Sequence, residues 1–216
     1  TQASSSAASD VYKRQETYGT IDSAKLANAA ISNRSGIQSS VEQLTLNQVD
    51  TDHVDAAQLS LDSFQVQKHK DGLSTSADTV SVSQLETKDA NVRSASLSGI
   101  NIQHSDGTTR SQLEQGSATG ITGHGTTVGN VTVSEIESAH SANQDSLTAD
   151  SIIISDVENN IASTDKASIE GLSYAHQNGN HSAQLASAEV QNTRAHGLGS
   201  MENFKTSQLS GHFGQY

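Results

Sequence analysis

Four apolar positions recur along the chain with the spacing i, i+3, i+5 and i+8, and the pattern returns every 36 residues. In ADSIIISDV at 149–157 they are Ala149, Ile152, Ile154 and Val157. One series of copies, 36 residues apart, starts at Val41, Ala77, Leu113, Ala149 and Leu185. A second series starts at Ala56, Val92, Val128 and Thr164. Repeats of this length are typical of solenoids or arrays, in which each unit buries its apolar residues against its neighbours.

The spacing favours strands over helices, because residues two apart point the same way from a strand. The intervening residues are polar, and Gly, Asn, Asp and Ser mark the boundaries in KHKDG, HSDG and HQNGN. The sequence therefore predicts an all-β fold, a parallel β-solenoid with about 36 residues per coil that stacks into cross-β filaments. Its predicted core ladder consists of Leu44, Leu46, Leu59, Leu61, Val80, Val82, Leu97, Val133, Ile152, Ile154 and Ile169. Ile153 is expected on the opposite side, facing a partner sheet.

Composition narrows the classes of function. Proline is absent, as a continuous hydrogen-bonded ladder requires, although low hydrophobicity with a net charge of −12 would otherwise indicate disorder. The acidic balance argues against nucleic-acid binding. No apolar run reaches the ~18 residues of a membrane-spanning helix, so no membrane insertion is expected. The lack of cysteine excludes disulfides and thiolate metal sites.

The chain divides into three predicted segments. Residues 5–15, SSAASDVYKRQ, look like a translated sequencing-library adapter, so residues 1–18 are interpreted as a non-native or disordered N-terminal segment. Residues 19–200 hold the repeats. Residues 201–216 are predicted to cap the last coil or to dock on the next subunit, with Phe204, Phe213 and Tyr216 as the contacting aromatics.

Two stretches, ASLSGINIQHSDG at 95–107 and ASIEGLSYAHQNGNHSAQL at 167–185, resemble the imperfect repeats of Fap-type functional amyloid subunits. The resemblance implies export, self-assembly and a role in an extracellular matrix or biofilm. Uncapped solenoid ends would independently favour head-to-tail stacking of identical chains, a contact that does not close and so produces filaments. The expected partner is therefore the chain itself, with other matrix components as further partners.

Two alternatives stay open at this stage. A spacing of five, seen from Val41 through Leu46, Thr51 and Ala56, resembles pentapeptide-repeat proteins. A capped, monomeric β-solenoid would instead serve as an adhesin or an ice-binding module. An enzyme is not expected, because the charges are scattered and no catalytic constellation or cofactor-binding motif is present.

Two columns of ionisable residues also follow the 36-residue period. Glu42, Asp78, Glu114 and Asp150 form an acidic column, interpreted as a solvated ladder or, alternatively, as a site for calcium or another hard cation. His104, His140 and His176 form a second column near the predicted corners, interpreted as an exposed stack of neutral imidazoles or as a weak transition-metal stripe.

Overall fold

The computed structural model of the chain describes residues 19–33 and 36–213. Within them it contains eleven β-strands and no helix. The strands are β1 Thr20–Ser32, β2 Ile37–Asp50, β3 Val54–His69, β4 Gly72–Thr87, β5 Asn91–Ser105, β6 Thr108–Gly123, β7 Thr126–Ser141, β8 Gln144–Glu158, β9 Ala162–Gln177, β10 Asn180–Ala195 and β11 Gly199–Phe213. No helix in these ranges has the length and apolarity needed to cross a membrane.

All eleven strands belong to one sheet in the order of the sequence, and every strand pairs antiparallel with the next. The prediction of an all-β fold is confirmed. The prediction of a parallel β-solenoid is wrong, because the strands form an antiparallel meander. The same arrangement differs from the coiled backbone that the pentapeptide-repeat alternative implies. The outer sides of β1 and β11 pair with no other described strand, so the sheet is open.

Tight two-residue turns explain the antiparallel arrangement. Asp106–Gly107, His124–Gly125 and Asn178–Gly179 have positive φ at both positions, between 49° and 81°. This is the type I′ geometry that reverses the chain and suits the twist of two antiparallel strands. Asp106–Gly107 and Asn178–Gly179 are therefore hairpin turns and not the solenoid corners that the sequence pattern predicts.

The 36-residue repeat is one β-hairpin rather than one coil. The series that starts at Val41 occupies the even-numbered strands, and the series that starts at Ala56 occupies the odd-numbered ones. The spacing 3-2-3 reads the same in both directions, so neighbouring antiparallel strands can align all four apolar positions. Leu44 pairs with Leu61 and Leu61 with Val80, for example, and this alternation carries one row across the sheet.

Each strand contains one residue with left-handed backbone geometry, and these residues form two lines across the sheet. The odd-numbered strands supply the first kink line, Asn28, Ser63, Gly99, Glu135, Gly171 and Gln208. The even-numbered strands supply the second kink line, Gln48, Gln84, Gly120, Asp156 and Asn192. The kinks interrupt the normal alternation of side chains, which would place residues i and i+3 on opposite faces.

All four apolar positions lie on one side of the sheet, called here the apolar side. A Cβ atom built on Gly116 would lie 3.6 Å from Leu113 Cδ2, three residues earlier, and 2.8 Å from Val133 Cγ2 on the next strand. The most buried residues, Ala56, Ala77, Ala149 and Gly116, all lie beside the kink lines. These four positions are the most closely packed ones on the apolar side.

The predicted segments map onto this sheet as follows. Residues 199–213, which overlap the predicted cap or docking tail, form β11 and pair with β10 along its length. Phe204 is 51% exposed on this edge strand. The predicted N-terminal segment 1–18 and Tyr216 lie outside the described residues.

Candidate functional site

The apolar side is the first candidate site. Its two inner rows hold the i+3 and i+5 positions of every strand, and all eleven residues of the predicted core ladder lie in them. They are Leu44, Leu61, Val80, Leu97, Val133, Ile152 and Ile169 in one row, and Leu46, Leu59, Val82 and Ile154 in the other. None of the eleven is buried, and Leu97 is 41% exposed. They line an open surface instead of filling an enclosed core.

No charged residue interrupts the four rows. Apart from Gly116, the exceptions to apolar side chains are three threonines near the β11 edge, Thr164, Thr193 and Thr206. Eleven strands about 4.8 Å apart, and nine residues of about 3.3 Å each, give these rows an extent of roughly 50 by 30 Å. Exposed apolar patches of monomeric proteins usually stay near about 300–600 Å². The footprint of the four apolar rows is therefore larger than such a patch.

The opposite side, called here the polar side, carries hydroxyl and amide groups. Its middle row runs through Thr45, Ser60, Ser81, Ser96, Ser117 and Thr132 before it reaches Ile153 and Ser168. Ile153 is thus the isoleucine of the III run that faces away from the apolar side. A neighbouring row is cross-linked by the Ser94 Oγ to Thr119 Oγ1 hydrogen bond of 2.7 Å. The middle row ends in Glu189 and Lys205, so its hydroxyl pattern does not cover the whole sheet.

The acidic column lies along the first kink line, on the even-numbered strands. Glu42, Asp78, Glu114 and Asp150 are all exposed, and each stands opposite a left-handed residue of the neighbouring strands. Because they are two strands apart, adjacent members are separated by about 9.5 Å rather than the 4.8 Å of a solenoid stack. Asn28 Nδ2 donates a hydrogen bond to Glu42 Oε2, and the Glu114 side chain lies over Gly99. The structure does not bring the four carboxylates together.

The histidine column lies in a single row near the hairpin ends, on the rim of the apolar side. The row runs through Leu73, His104, Thr109, His140, Asp145, His176 and His181, one residue from each of β4 to β10. The predicted trio does not form a stack, because a different residue separates each pair. His104 Nδ1 makes a 2.9 Å hydrogen bond with Thr109 Oγ1 instead.

Asp145 joins two of the predicted histidines. Its Oδ1 forms a hydrogen bond with Nδ1 of His140, and its Oδ2 forms one of 3.1 Å with Nδ1 of His176. The hydrogen bonds from His140 and His176 hold the pKa of the Asp145 carboxyl below its ordinary value. A single carboxylate therefore orients two imidazoles through the same ring nitrogen.

His181 continues this cluster on β10. Its ring stacks on that of His176, with centroids 4.4 Å apart and an interplanar angle of 16°. Its Nδ1 lies 2.9 Å from the Tyr174 hydroxyl. The 36-residue period cannot identify Asp145, Tyr174 or His181, because none of them lies 36 residues from a predicted member of the column. The NG turn that precedes His181 was the usable signal, since a two-residue hairpin sets it opposite His176.

In residues 19–33 and 36–213, no group of three His, Asp or Glu side chains is arranged to hold a metal ion. The metal interpretation of the acidic and histidine columns therefore stays a prediction. Comparison with known proteins found no matching family model, no matching curated protein and no matching solved structure.

Proposed function

We propose that the protein is a structural, self-assembling subunit of an extracellular filament, serving as a biofilm or matrix scaffold. The observation that carries this proposal is the uncovered apolar side. The described chain has no second layer to cover it, and the four rows have a footprint on the order of 1,500 Å². A standard protein interface needs only about 800 Å² from each partner.

A second copy of the chain suits this surface. The 3-2-3 spacing is unchanged when the strand direction is reversed, so the rows of two copies related by a two-fold axis run along one another. Two sheets packed in this way lie about 10 Å apart, with their inner side chains interdigitated. Burial of about 25 cal/mol for each Å² of apolar surface provides the driving force.

The open edges allow growth in the other direction. β1 and β11 expose backbone N–H and C=O groups on their outer sides, and such edges template pairing with another chain. Pairing β11 of one copy with β1 of the next repeats without closing, and the product is a filament. The head-to-tail homopolymer expected from the sequence thus becomes an edge-to-edge polymer of meander sheets.

The test combines concentration-dependent light scattering with electron microscopy of the full chain and two matched variants. Ile152→Lys places a charge on the apolar side, and Ile153→Lys places the same charge one residue away on the polar side. We expect the wild type and Ile153→Lys to assemble and Ile152→Lys to remain dispersed. Circular dichroism on all three confirms that the strands are retained. Wild-type protein that stays monomeric at millimolar concentration would contradict the proposal.

A second candidate function is the binding of apolar chains such as lipid acyl groups. It is favoured by the absence of charged side chains from the four rows and by the continuity of these rows from β1 to β11. A lipid tail is a linear apolar ligand that would lie along such a surface without a second protein layer. In this case the protein would be a carrier or conduit rather than a scaffold.

Lipid analysis separates the two candidates. Native mass spectrometry of protein prepared from a membrane-containing lysate, together with titration of a fluorescent fatty acid, measures bound acyl chains directly. A lipid-free protein that assembles supports the scaffold. A monomer that binds the fatty acid through the apolar side, and loses it in Ile152→Lys but not in Ile153→Lys, supports the carrier.

A further inference from the structure

We propose that His176 and His181 form a binding site for a divalent transition-metal ion, of which Cu²⁺ is the preferred example. The two residues are direct cross-strand partners on β9 and β10. They lie at the rim of the apolar side, one residue pair away from the turn that joins β9 and β10. This inference does not depend on the proposed function.

The hydrogen bonds of the two rings leave the same nitrogen free on each. Asp145 Oδ2 accepts the Nδ1 proton of His176 at 3.1 Å. The Tyr174 hydroxyl oxygen, 2.9 Å from Nδ1 of His181, can accept a hydrogen bond from an Nδ1–H of that ring. With both protons on Nδ1, both Nε2 atoms carry a lone pair for a metal. A histidine ligand is usually oriented by such a hydrogen bond from its other ring nitrogen, often to a carboxylate.

The spacing and access of the rings suit one shared ion. The ring centroids are 4.4 Å apart and the planes are nearly parallel. An imidazole binds a metal in its ring plane at about 2.0–2.1 Å, so the two rings must turn out of their stack until both Nε2 atoms point at one ion between the strands. The His176 side chain is 27% exposed and His181 is exposed, which leaves a path for the ion and for water ligands.

The chemistry of the ligands selects the metal. Two neutral imidazoles without a thiolate suit Cu²⁺, Ni²⁺ and Zn²⁺, and at sites of this kind the affinity is highest for Cu²⁺. The Asp145 carboxylate is occupied by two imidazole N–H groups, so it serves as the orienting group and not as a ligand. Calcium and magnesium, which prefer oxygen ligands, are not expected to bind here.

The experiment titrates the full chain with CuCl₂, using calorimetry for affinity and electron paramagnetic resonance for the number of coordinated nitrogens. We expect one Cu²⁺ with two imidazole nitrogens, and an affinity at least 10-fold lower in His176→Asn and in His181→Asn. Asp145→Ala should lower the affinity about 10-fold or more through loss of orientation, while the two-nitrogen spectrum is retained at saturating copper.

His104→Asn is the matched control, because His104 lies in the same row but bonds to Thr109. It should leave the affinity within 2-fold of the wild type. Unchanged binding in both His176→Asn and His181→Asn, or an equal loss in His104→Asn, would overturn the site. Circular dichroism of each variant separates loss of a ligand from loss of fold. None of these readouts requires self-assembly or lipid binding, so failure here leaves the proposed function standing.

Discussion

The two sides of the sheet differ in whether their side chains find suitable contacts, with water or with one another. On the polar side, hydroxyl and amide groups meet water and one another, as Ser94 and Thr119 do. On the apolar side, Leu97 remains 41% exposed in the middle of the sheet with nothing above it. Both sides come from the same strands and the same hairpins. The difference shows that strand pairing and hairpin turns build the sheet without covering its apolar side in the described residues.

A substitution at a kink should have the largest effect on stability. Gly99 has φ of 65°, and a Cβ atom there would lie 2.3 Å from the Glu114 side chain. Gly99→Val therefore combines backbone strain with a steric clash, and we expect a loss of up to about 3 kcal/mol in the free energy of unfolding. Ser96→Val, on the polar side of the same strand, should change it by less than about 0.5 kcal/mol. Urea denaturation of both variants measures this, and equal effects would mean that the kink carries no strain.

Adjacent residues on β6 compare the packing of the two sides directly. A Cβ atom on Gly116 would lie 2.8 Å from Val133 Cγ2 and 3.1 Å from Leu97 Cδ2, whereas Ser117 faces the polar side. We expect Gly116→Leu to destabilise the fold by about 2 kcal/mol through overpacking. Ser117→Leu should have a much smaller effect on the urea midpoint. A reversed order of the two variants would show that the sides have been assigned wrongly.

Two lysines on the edge strands are expected to limit edge-to-edge assembly. The middle row of the polar side consists mostly of hydroxyl residues in the interior of the sheet, but it holds Lys25 on β1 and Lys205 on β11. Lys205 Nζ lies 3.9 Å from Glu189 Oε2. Any edge pairing that keeps the rows aligned places one lysine beside another, which disfavours it by up to about 1 kcal/mol.

The double variant Lys25→Thr, Lys205→Thr should therefore assemble at a critical concentration up to about 5-fold lower than the wild type. Lys88→Thr, in the turn before β5, is the control with the same loss of charge. Light scattering across a concentration series gives the comparison. If the control lowers the critical concentration as much as the edge variant does, net charge rather than edge pairing limits growth.

The smallest expected effect concerns Asp145 and pH. Its pKa is lowered in the folded state, so the carboxylate stabilises the fold fully above its ordinary pKa, and this contribution is lost as pH falls through the lower folded value. In Asp145→Asn this acid-dependent loss should be absent. Thermal unfolding of both proteins from neutral to strongly acidic pH provides the measurement. Parallel curves for the two proteins would show that the bonds to His140 and His176 do not form in solution.

Much of the local structure could be predicted because its signals lie within a few residues of one another. The alternation around Leu59 and Leu61 indicates strands, and the 36-residue period indicates equivalent positions. The direction of neighbouring strands could not be predicted from these signals, because a 3-2-3 spacing aligns equally well in parallel and antiparallel neighbours. The two-residue turns Asp106–Gly107 and Asn178–Gly179 carried the missing information.

The two candidate sites also differ in how much of them the sequence predicts. The apolar rows follow from the repeat, so their members were identifiable as a set, but whether another layer covers them depends on the whole sheet. The histidine cluster depends on register, which pairs His176 with Asp145 on one side and with His181 on the other. The period instead favours His104, His140 and His176, which occupy alternate strands and do not contact one another.

The sequence by itself determined strand content, repeat length and the division of residues between an apolar and a polar side, because hydrophobic spacing acts within one strand. The tertiary structure alone decided that the strands alternate in direction, that their left-handed residues form two lines across the sheet, and that Asp145 joins two histidines. These features require residues from different strands to meet. Their positions follow from turn geometry and strand register across the whole sheet.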